Sequence, residues 1–423
     1  MKQMEALAER GIVNTLSDPG LGDLLEKEMV SFYIGYDPSF KSLQIGNLFA
    51  IVTMRRLQEM GHRPVVLVGG GTGAIGDPSG RSTERNLLGM DTVEANVRAI
   101  RAQLERLIDF GDRRNAAVLV NNYEWLSTFN LLDFLRDVGR RFRVGEMLAK
   151  ESVKRRMESD DGVSYTEFTY QILQAYDFLH LYKTLGVRLQ CGGGDQWGNI
   201  TAGIDLVRRV EAAQVYGMVI PLVTDSHGRK FGKSTGEAVY LDPGLSSPYR
   251  MYQFLMNAED ACVVSYLKYY TFLSMDDIRA LEREVAERPE ARAAQKALAS
   301  ETVAFVHGSE GLAAAEKATR IFFGEAIEDV NDSDLAGIFA DVPTVELPRD
   351  RMAAGMNIVD LLAAIPLWKG KNDARRSIEQ RGAYLNNRPV ESVGLTVGLS
   401  HLASPGAMVV RKGKKSYALV KMV

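Results

Sequence analysis

Three polar side chains fall on one face of a helix predicted between Tyr165 and Leu185. Tyr170, Gln174 and Asp177 follow one another at i, i+4 and i+7, so a phenol, an amide and a carboxylate lie in line. They could form a solvent-exposed stripe. However, most neighbouring residues are apolar, and polar groups in such surroundings must be satisfied internally or by a ligand. The pattern favours a polar ligand.

Two lysines three residues apart, Lys230 and Lys233, lie in a polar, glycine-bearing loop that ends at Ser234. Beside a nucleotide, a flexible pair of ammonium groups can stabilise the negative charge that grows on phosphates during group transfer. Taken alone, such a loop is more often a solvated basic turn. A phosphate role therefore depends on what lies near it.

The scaffold for these groups begins with the segment 33–48. This segment starts as an apolar strand, turns at residues 37–39 and enters a helix predicted from about Asn47 to Met60. A buried-type strand, 64–68, follows directly. Strand, crossover helix and strand form a βαβ unit, which predicts an α/β fold with a parallel sheet. Ligands bind at the carboxyl ends of such strands, and a helix N-terminus there suits phosphate.

Two amides and a glycine lie where this helix begins. Gln44 and Asn47 place amide donors beside Gly46, which would let a flat group approach the backbone. Asn47 is also a good helix N-cap and needs no catalytic function in that role.

Two glycine-rich segments follow predicted strands. The first, 69–80, contains a literal G-x-G-x-x-G, the fingerprint of dinucleotide-binding folds. That fingerprint needs a helix opening through the glycines, whereas Asp77-Pro78 predicts a turn where the helix should continue. We therefore expect a loop beside a small-ligand pocket, with Asp77 turned inward and Arg81 and Arg85 able to reach an acidic ligand. The second segment, 192–199, would flank the same site.

Composition excludes several classes of protein. Hydrophobic residues make up 46% of the 423-residue chain and charged residues 25%, as in ordinary soluble proteins. Apolar runs are too short to span a membrane, and the first twenty residues lack a signal-peptide pattern. Two cysteines, Cys191 and Cys262, and five scattered histidines argue against a disulfide framework or a metal site. We expect a cytoplasmic protein.

Charge and pattern divide the chain. Residues 1–245 read as the α/β domain, in which a helical insertion at about 121–185 could make subunit contacts. Residues 246–323 are predicted to be all-helical, 324–350 to be a linker, and 351–423 to form a small α+β domain. From Pro366 onward, eleven basic residues face three acidic ones, a balance of +8, so the remainder carries −11. A basic module on an acidic body is typical of nucleic-acid binding, although a solvated basic face is an open alternative.

Five ordered motifs resemble those of bacterial-type tyrosyl-tRNA synthetases, which are class I aminoacyl-tRNA synthetases. The motifs are Tyr33-Ile-Gly-Tyr-Asp-Pro38, Ile75-Gly-Asp-Pro-Ser-Gly80, Tyr170-x-x-x-Gln174-Ala-Tyr-Asp177, Gly193-Gly-Asp-Gln-Trp-Gly-Asn199 and Lys230-Phe-Gly-Lys-Ser234. Residues 371–386 are similar to the S4 RNA-binding domain at this family's C-terminus. The resemblance covers essentially the whole chain.

The resemblance implies a Rossmann-like catalytic domain, a helical domain that contacts the anticodon side of tRNA, and an S4 domain. It implies a homodimer that binds L-tyrosine, ATP with Mg²⁺ and tRNA-Tyr, forms tyrosyl-adenylate, and transfers the tyrosyl group to the tRNA 3′ end, with no metal held by the protein itself. Tyr33 and Asp177 would bind the phenolic hydroxyl, Tyr170, Gln174 and Asp77 the ammonium group, and Gln190 would lie near the substrate. The residues implied for ATP or adenylate are Gly35, Asp37, Ser39, Gly46, Gly193, Asp195, Gln196 and Lys233. Gln44, Asn47, Lys230, Lys233 and Ser234 would act in catalysis, and Lys371, Arg375, Arg376, Lys412, Lys414 and Lys415 would meet RNA.

The chain departs from the family at its HIGH box, here Gln44-Ile-Gly-Asn47. Glutamine can donate a neutral hydrogen bond to ATP phosphates but carries no charge, so we expect an active enzyme with a slower activation step. A synthetase-like paralogue with an RNA-binding or other aminoacyl-transfer role is the alternative. The sister tryptophanyl enzymes are disfavoured by the Tyr33 and Asp177 pair, and a dinucleotide oxidoreductase by the Asp77-Pro78 turn.

Overall fold

A computed structural model describes residues 2–79, 88–158, 162–232, 238–328, 330–339 and 342–423. The chain forms two compact units, Met1–Asp242 with Met256–Val306, and Pro243–Leu255 with His307–Val423. None of the described helices is both long and apolar enough to span a bilayer.

A six-stranded sheet organises the first unit. Its strands are β1 (Thr15–Leu16), β2 (Ser31–Tyr36), β3 (Arg63–Val68), β4 (Val118–Asn121), β5 (Val187–Gly193) and β6 (Tyr216–Ile220). They are ordered β1-β6-β5-β2-β3-β4, and every pair is parallel except β1 with β6. The expected α/β fold with a parallel sheet is confirmed, whereas the antiparallel edge strand β1 was not predicted.

The helices of the first unit surround this sheet. They are α1 (Gln3–Glu9), α2 (Gly20–Lys27), α3 (Ile45–Glu59), α4 (Gly70–Ile75), α5 (Met90–Leu107), α6 (Tyr123–Leu126), α7 (Leu131–Asp137), α8 (Val144–Leu148), α9 (Glu151–Met157), α10 (Tyr165–Leu185), α11 (Trp197–Glu211), α13 (Asp260–Tyr270) and α14 (Met275–Glu287). Helix α3 makes the predicted crossover between β2 and β3, and α6 to α10 form the predicted helical insertion between β4 and β5.

Two local predictions were wrong. Gln44, not Asn47, is the N-cap of α3; Asn47 is the third helical residue, and its Oδ1 accepts a hydrogen bond from the Gln44 N–H at 3.0 Å. The glycine-rich segment forms the short helix α4 rather than a loop. This helix ends at Gly76, whose φ of 88° suits glycine and turns the chain into Asp77-Pro78.

Two buried arginines fix α13 within the first unit. Arg10 and Arg56 donate to the backbone carbonyls of Leu273 and Thr271, just beyond the C-terminal end of α13. The Arg56 guanidinium also lies 5.0 Å from the centre of the Phe272 ring. Cations suit a helix C-terminus because its last carbonyls lack partners within the helix. The burial that this position demands lowers the pKa of Arg56 to about 10.

A second sheet organises the other unit, in the order β10-β9-β12-β13-β7. Its strands are β7 (Thr344–Leu347), β9 (Ala383–Leu385), β10 (Arg388–Pro389), β12 (Ala407–Lys412) and β13 (Ser416–Met422), and β8 (Met356–Asn357) pairs separately with β11 (Thr396–Val397). Side chains alternate along β12, so Met408 and Val410 join one apolar cluster while Ala407 and Val409 join another. Both faces of this sheet are therefore buried, and the C-terminal segment folds as the predicted α+β structure.

The helices of this unit are α12 (Pro248–Met256), α15 (Ala293–Phe322), α16 (Asp332–Ile338), α17 (Arg349–Ala353), α18 (Ile358–Ala363) and α19 (Lys371–Glu379). Helix α15 crosses the division between the units, and Gly308, with a φ of 75°, interrupts its helical backbone there.

The structure changes two predicted boundaries. The expected linker 324–350 contains α16 and β7, and β7 pairs in parallel with β13, so this segment belongs to the second unit. The expected helical domain 246–323 is divided, because residues 256–306 belong to the first unit and the remainder to the second.

Candidate active site

A cavity of about 440 Å³ opens at the carboxyl ends of β2 and β5. The predicted site residues that line it are Tyr33, Gly35, Asp37, Ser39, Gln44, Gly46, Asn47, Asp77, Tyr170, Gln174, Asp177, Gln190, Gly193, Asp195, Gln196 and Lys230. Lys233 and Ser234 lie outside the described residues, as do Gly80, Arg81 and Arg85. Parallel strands bring their ends to one edge of the sheet, which is how residues so distant in sequence meet here.

Tyr33 and Gln190 are neighbours on adjacent strands and lie on the floor of this cavity. Their side chains are 1% and 3% exposed, yet the Tyr33 hydroxyl and the Gln190 Oε1 have no hydrogen-bond partner among the described residues. Leaving a buried polar group unpaired costs about 1–3 kcal/mol. Two such groups facing one cavity indicate that a polar ligand completes them.

Asp177 reaches the same cavity from the middle of α10. Its Oδ2 accepts a hydrogen bond from Asn122 Nδ2 at 2.9 Å, and its Oδ1 accepts one from Trp125 Nε1 at 2.8 Å. Burial raises the pKa of Asp177 to about 7, although both hydrogen bonds favour the charged form. Burial, with a further contribution from the Asp177 charge, raises the pKa of Tyr33 well above its usual value.

Asn122 and Trp125 hold the Asp177 carboxylate, and the sequence analysis did not predict either contact. Asn122 is fully buried; its Oδ1 accepts from the Gly71 N–H at 2.8 Å, and its Nδ2 donates to Thr72 Oγ1 as well as to Asp177. The available signal was a pair of asparagines directly after a predicted strand, at the edge of the sheet where ligands bind.

The same asparagines explain why the G-x-G-x-x-G is no dinucleotide site. Asn121 Oδ1 accepts from the Gly70 N–H at 3.1 Å, and Asn122 Oδ1 occupies the next N–H of α4. These are the donors that a pyrophosphate would use at a helix N-terminus. They are already bonded within the protein, and helix α4 stops after six residues.

Asp37, at the end of β2, joins the two sides of the cavity. Its Oδ1 accepts from Thr72 Oγ1 at 2.8 Å, and its Oδ2 accepts from the Tyr170 hydroxyl at 2.8 Å. Burial and the charges of Asp37 and Asp77 raise the pKa of Tyr170 well above its usual value. The phenol of Tyr170 is therefore held as a neutral donor, with its hydroxyl oxygen beside the Asp37 carboxylate.

A second network holds the carboxylate of Asp77, which is turned inward as predicted. Asp77 Oδ2 accepts from Gln196 Nε2 at 2.7 Å, and Gln196 Oε1 accepts from Gln174 Nε2 at 3.2 Å. Asn199 Nδ2 donates to Gln174 Oε1 at 2.9 Å and so orients that amide. Asn199 belongs to the second glycine motif, but its role as a support for Gln174 was not predicted.

Lys230 also lines the cavity and acts electrostatically on Asp195. Burial raises the pKa of Asp195, and the positive charge of Lys230 opposes that shift. Gln44 and Asn47 line the same end of the cavity at the start of α3. The cavity lining thus combines carboxylates and buried phenols with amides and the cation of Lys230.

The candidate RNA-binding residues of the C-terminal unit differ in their surroundings. Arg375 and Arg376 are exposed on α19, and Lys371 pairs with Asp360 at 2.7 Å while its side chain stays 65% exposed. Lys414 and Lys415 are exposed in the turn between β12 and β13. Lys412, in contrast, is half-buried.

Lys412 is held by the protein itself. Its Nζ donates to Asp373 Oδ2 at 2.8 Å and to the Leu367 carbonyl at 3.0 Å. These bonds join β12 to α19, so Lys412 has a structural role that the sequence did not reveal.

Family models match both parts of the chain. The model described as "tRNA synthetases class I (W and Y)" matches residues 25–324, and the one described as "Tyrosine--tRNA ligase SYY-like C-terminal domain" matches residues 334–420. The second match begins before residue 351, in agreement with the inclusion of α16 and β7 in that unit.

Named relatives are similar over their full length. The tyrosine–tRNA ligase of Roseiflexus castenholzii is 48% identical over 421 residues, covering 99% of each chain, and that of Geobacillus stearothermophilus is 45% identical over 423 residues, covering 99% of this chain and 100% of the relative. A solved C-terminally truncated mitochondrial tyrosyl-tRNA synthetase from Aspergillus nidulans is 32% identical, with a TM-score of 0.68 over 75% of this chain and 93% of that one. The chain therefore belongs to the tyrosine–tRNA ligase family of class I aminoacyl-tRNA synthetases.

Proposed function

We propose that the chain activates L-tyrosine with Mg-ATP and transfers the tyrosyl group to the 3′ end of tRNA-Tyr. The observation that carries this proposal is the pair of unpartnered buried groups, Tyr33 hydroxyl and Gln190 Oε1, beside the buried Asp177 carboxylate. A ligand that brings a hydroxylated aromatic ring supplies both a donor and an acceptor to this pocket. Phenylalanine would leave these groups unpaired. This enzyme family is the established case of rejection by unpaired polar groups, which is about 10⁵-fold.

The ammonium group of tyrosine would bind between Tyr170, Gln174 and Asp77. All three line the cavity, and Gln196 links Asp77 to Gln174 through hydrogen bonds of 2.7 and 3.2 Å. This arrangement offers an anionic carboxylate and two oxygen acceptors. Gln196 would lie near the reacting carboxylate of tyrosine.

ATP would occupy the other end of the cavity. Gly35, Gly46 and Gly193 line the cavity and would leave room for the adenosine, and the polar residues Asp37, Ser39 and Asp195 would surround it. The phosphates would meet Gln44, Asn47 and Lys230, together with Lys233 and Ser234 of the same motif. Mg²⁺ enters as part of the substrate complex.

The reaction needs no covalent nucleophile from the protein. A carboxylate oxygen of tyrosine attacks the α-phosphorus of ATP, the bond to the β-phosphate oxygen breaks, and pyrophosphate leaves. A ribose hydroxyl of tRNA then attacks the tyrosyl carbonyl, and AMP leaves. The protein contributes position and electrostatic stabilisation, and Lys230 and the amides would offset charge that grows on the departing pyrophosphate.

The tRNA would also meet the basic surface of the C-terminal unit through Lys371, Arg375, Arg376, Lys414 and Lys415. Phosphate contacts by exposed Arg and Lys supply sequence-independent affinity that falls with salt. Lys412 is not expected to contribute directly, because it is bonded to Asp373 and Leu367.

We also propose a homodimer that forms through the helical insertion. Exposed apolar side chains gather there, namely Leu131, Leu132, Leu135, Val144, Leu148, Met157 and Tyr165. An exposed patch of this kind is typical of a protein interface.

Cys191 and Cys262 are both free thiols, as suits the reducing cytoplasm in which this reaction would take place.

The test is pyrophosphate exchange into ATP in the presence of each of the twenty amino acids. We expect exchange with tyrosine and at least a thousandfold less with phenylalanine, because the pocket is built to pair a hydroxyl group. Absence of tyrosine-dependent exchange by the folded protein would instead support the synthetase-like paralogue.

A further inference from the structure

Gln103, on α5, is buried next to the ATP end of the cavity but does not line it. Its side chain is 4% exposed, and its Oε1 accepts from the Leu43 N–H at 3.1 Å and from Ser42 Oγ at 3.4 Å. Leu43 immediately precedes Gln44. The acceptor of this one amide therefore holds the backbone that leads into the altered HIGH box.

Segment 42–45 also pairs with residues 239–242, which follow the lysine motif in the sequence. Leu43 and Ile45 bond to Leu241 and Val239 through backbone hydrogen bonds of 2.9 Å, and Gln44 forms a β-bridge with Tyr240. Ser42 Oγ further accepts from the Asp242 N–H at 3.2 Å. Segments 42–45 and 239–242 thus form a short antiparallel pair.

Phe231 and Gly232 of the lysine motif pack against residues 45–46 of the same segment. A Cβ built on Gly46 would lie 3.6 Å from the Phe231 carbonyl oxygen, and one on Gly232 would lie 2.8 Å from Ile45 Cγ2. Both described flanks of residues 233–237 therefore contact segment 42–46. A shift of this segment would move Gln44 and both flanks together.

The partner of Gln103 has few substitutes. Leu43 is 5% exposed, so its N–H cannot turn to water if Gln103 Oε1 is removed. Asn96, two turns earlier on α5, holds the preceding part of the loop, because its Nδ2 donates to the Pro38 carbonyl at 2.9 Å. One face of α5 thus supports the whole loop between β2 and α3.

We infer that Gln103 is a positioning residue for the ATP half of the site, acting through Leu43 and Ser42 on Gln44 and on the flanks of the lysine motif. The inference rests on the proposed function, since it assigns the ATP phosphates to this end of the cavity. Gln103 does not line the cavity, so its positioning role is recognised by a rise in KM for ATP that KM for tyrosine does not share.

The test is Gln103→Met, which keeps the side-chain length but removes the acceptor. We expect KM for ATP to rise about tenfold in tyrosine-dependent exchange, while KM for tyrosine changes less than twofold, because a lost buried hydrogen bond disturbs only this end. Gln103→Glu keeps an acceptor oxygen and should recover most of the ATP affinity. Hydrogen exchange at Leu43, Leu241 and Asp242 should accelerate in Gln103→Met.

Gln58 provides the matched control. It is a buried glutamine on α3, bonded through its amide to the Asp109 backbone at 2.6 and 3.0 Å and absent from the cavity lining. The Gln58 amide makes three hydrogen bonds, so Gln58→Met should lose at least as much stability as Gln103→Met, without a change in KM for ATP. An equal rise in both variants, or no rise in Gln103→Met, would overturn the inference, whereas a wild-type protein without tyrosine-dependent exchange would instead refute the proposed function.

Discussion

Trp125 donates its indole N–H to the Asp177 carboxylate over 2.8 Å, and both side chains are buried. The two residues come from different elements, α6 and α10, and are joined only by the tertiary fold. The indole ring in turn stacks on His180, with ring centres 4.3 Å apart and an angle of 14°. The stacked pair of Trp125 and His180 therefore orients the carboxylate that would bind the hydroxyl of tyrosine.

Tyrosine binding should tighten as pH rises through neutrality. Burial raises the pKa of Asp177 to about 7 in the ligand-free protein, and the ionised carboxylate is the better acceptor for the substrate hydroxyl. Between pH 6 and 8, the ionised fraction would rise about tenfold, so we expect the Kd for tyrosine to fall by about that factor. Isothermal titration calorimetry across this range measures it, and Asp177→Asn should bind more weakly with a flat profile.

Stability should follow the opposite trend. The folded pKa of Asp177 lies above that of an unfolded aspartate, so the folded state holds an extra proton at intermediate pH. The stability linked to this group is thus complete below about pH 4 and lost as pH rises through about 7. The difference in unfolding free energy between Asp177→Asn and the wild-type protein should grow over that range in urea titrations. A constant difference would contradict a raised pKa.

Tyr33→Phe should separate stability from activity. The Tyr33 hydroxyl is buried without a partner among the described residues, so its removal should raise the unfolding free energy by about 1 kcal/mol or more. The same change removes a contact to the substrate hydroxyl and should lower kcat/KM for tyrosine about tenfold, with little effect on phenylalanine. Thermal unfolding and exchange kinetics check the two effects. A variant that is both less stable and fully active would contradict this assignment.

The sequence allowed the cavity to be predicted because its residues sit in local patterns. Gly35, Asp37 and Gly193 lie at the ends of apolar strands, and the i, i+4, i+7 spacing on α10 defines one face of that helix. The local pattern of each element therefore predicts which of its residues line the cavity. Parallel pairing then brings these ends together. Little information beyond strand order is needed.

The supporting residues could not be predicted in this way. Asn122 is tied to Asp177 across 55 positions and to Gly71 across 51, and these contacts exist only once β4 and α10 lie beside α4. The α4 helix shows the same dependence. Three of its six residues are glycines, which have poor helix propensity. Hydrogen bonds from its first two N–H groups to Asn121 and Asn122 override this propensity.

Strand β7 failed for a different reason. Its residues alternate in burial, but the strand has only four residues and lies at the edge of the sheet, where it pairs in parallel with β13. The period-two pattern of Thr344–Leu347 covers only four residues within an acidic segment, which is too short to distinguish a strand from a linker.

Gln44→His should accelerate tyrosine activation. The backbone of Gln44 is fixed by Asn47 and Tyr240, independently of its side chain, so a histidine should be accepted without rearrangement. Removal of a transition-state donor typically costs about 10²–10³ in rate, and a neutral amide should recover only part of that. We expect a several-fold rise in the exchange rate. An unchanged or lower rate would show that the amide does not limit activation, and Gln44→Ala should lower the rate in either case.

Alanine substitution should lower stability at Lys412 but weaken tRNA binding at its neighbours Lys414 and Lys415. Lys412→Ala removes an ion pair with Asp373 and a bond to the Leu367 carbonyl, so the C-terminal unit should lose stability. The pair is partly exposed to solvent, so the loss should be small. The double variant Lys414→Ala/Lys415→Ala touches exposed side chains only and should leave unfolding unchanged. It should instead weaken tRNA-Tyr binding and reduce the salt dependence of log K by up to about 1.8, since each phosphate contact contributes about 0.9. Filter binding at several salt concentrations measures the slope, and weaker binding with an unaltered slope would place these lysines away from the phosphates.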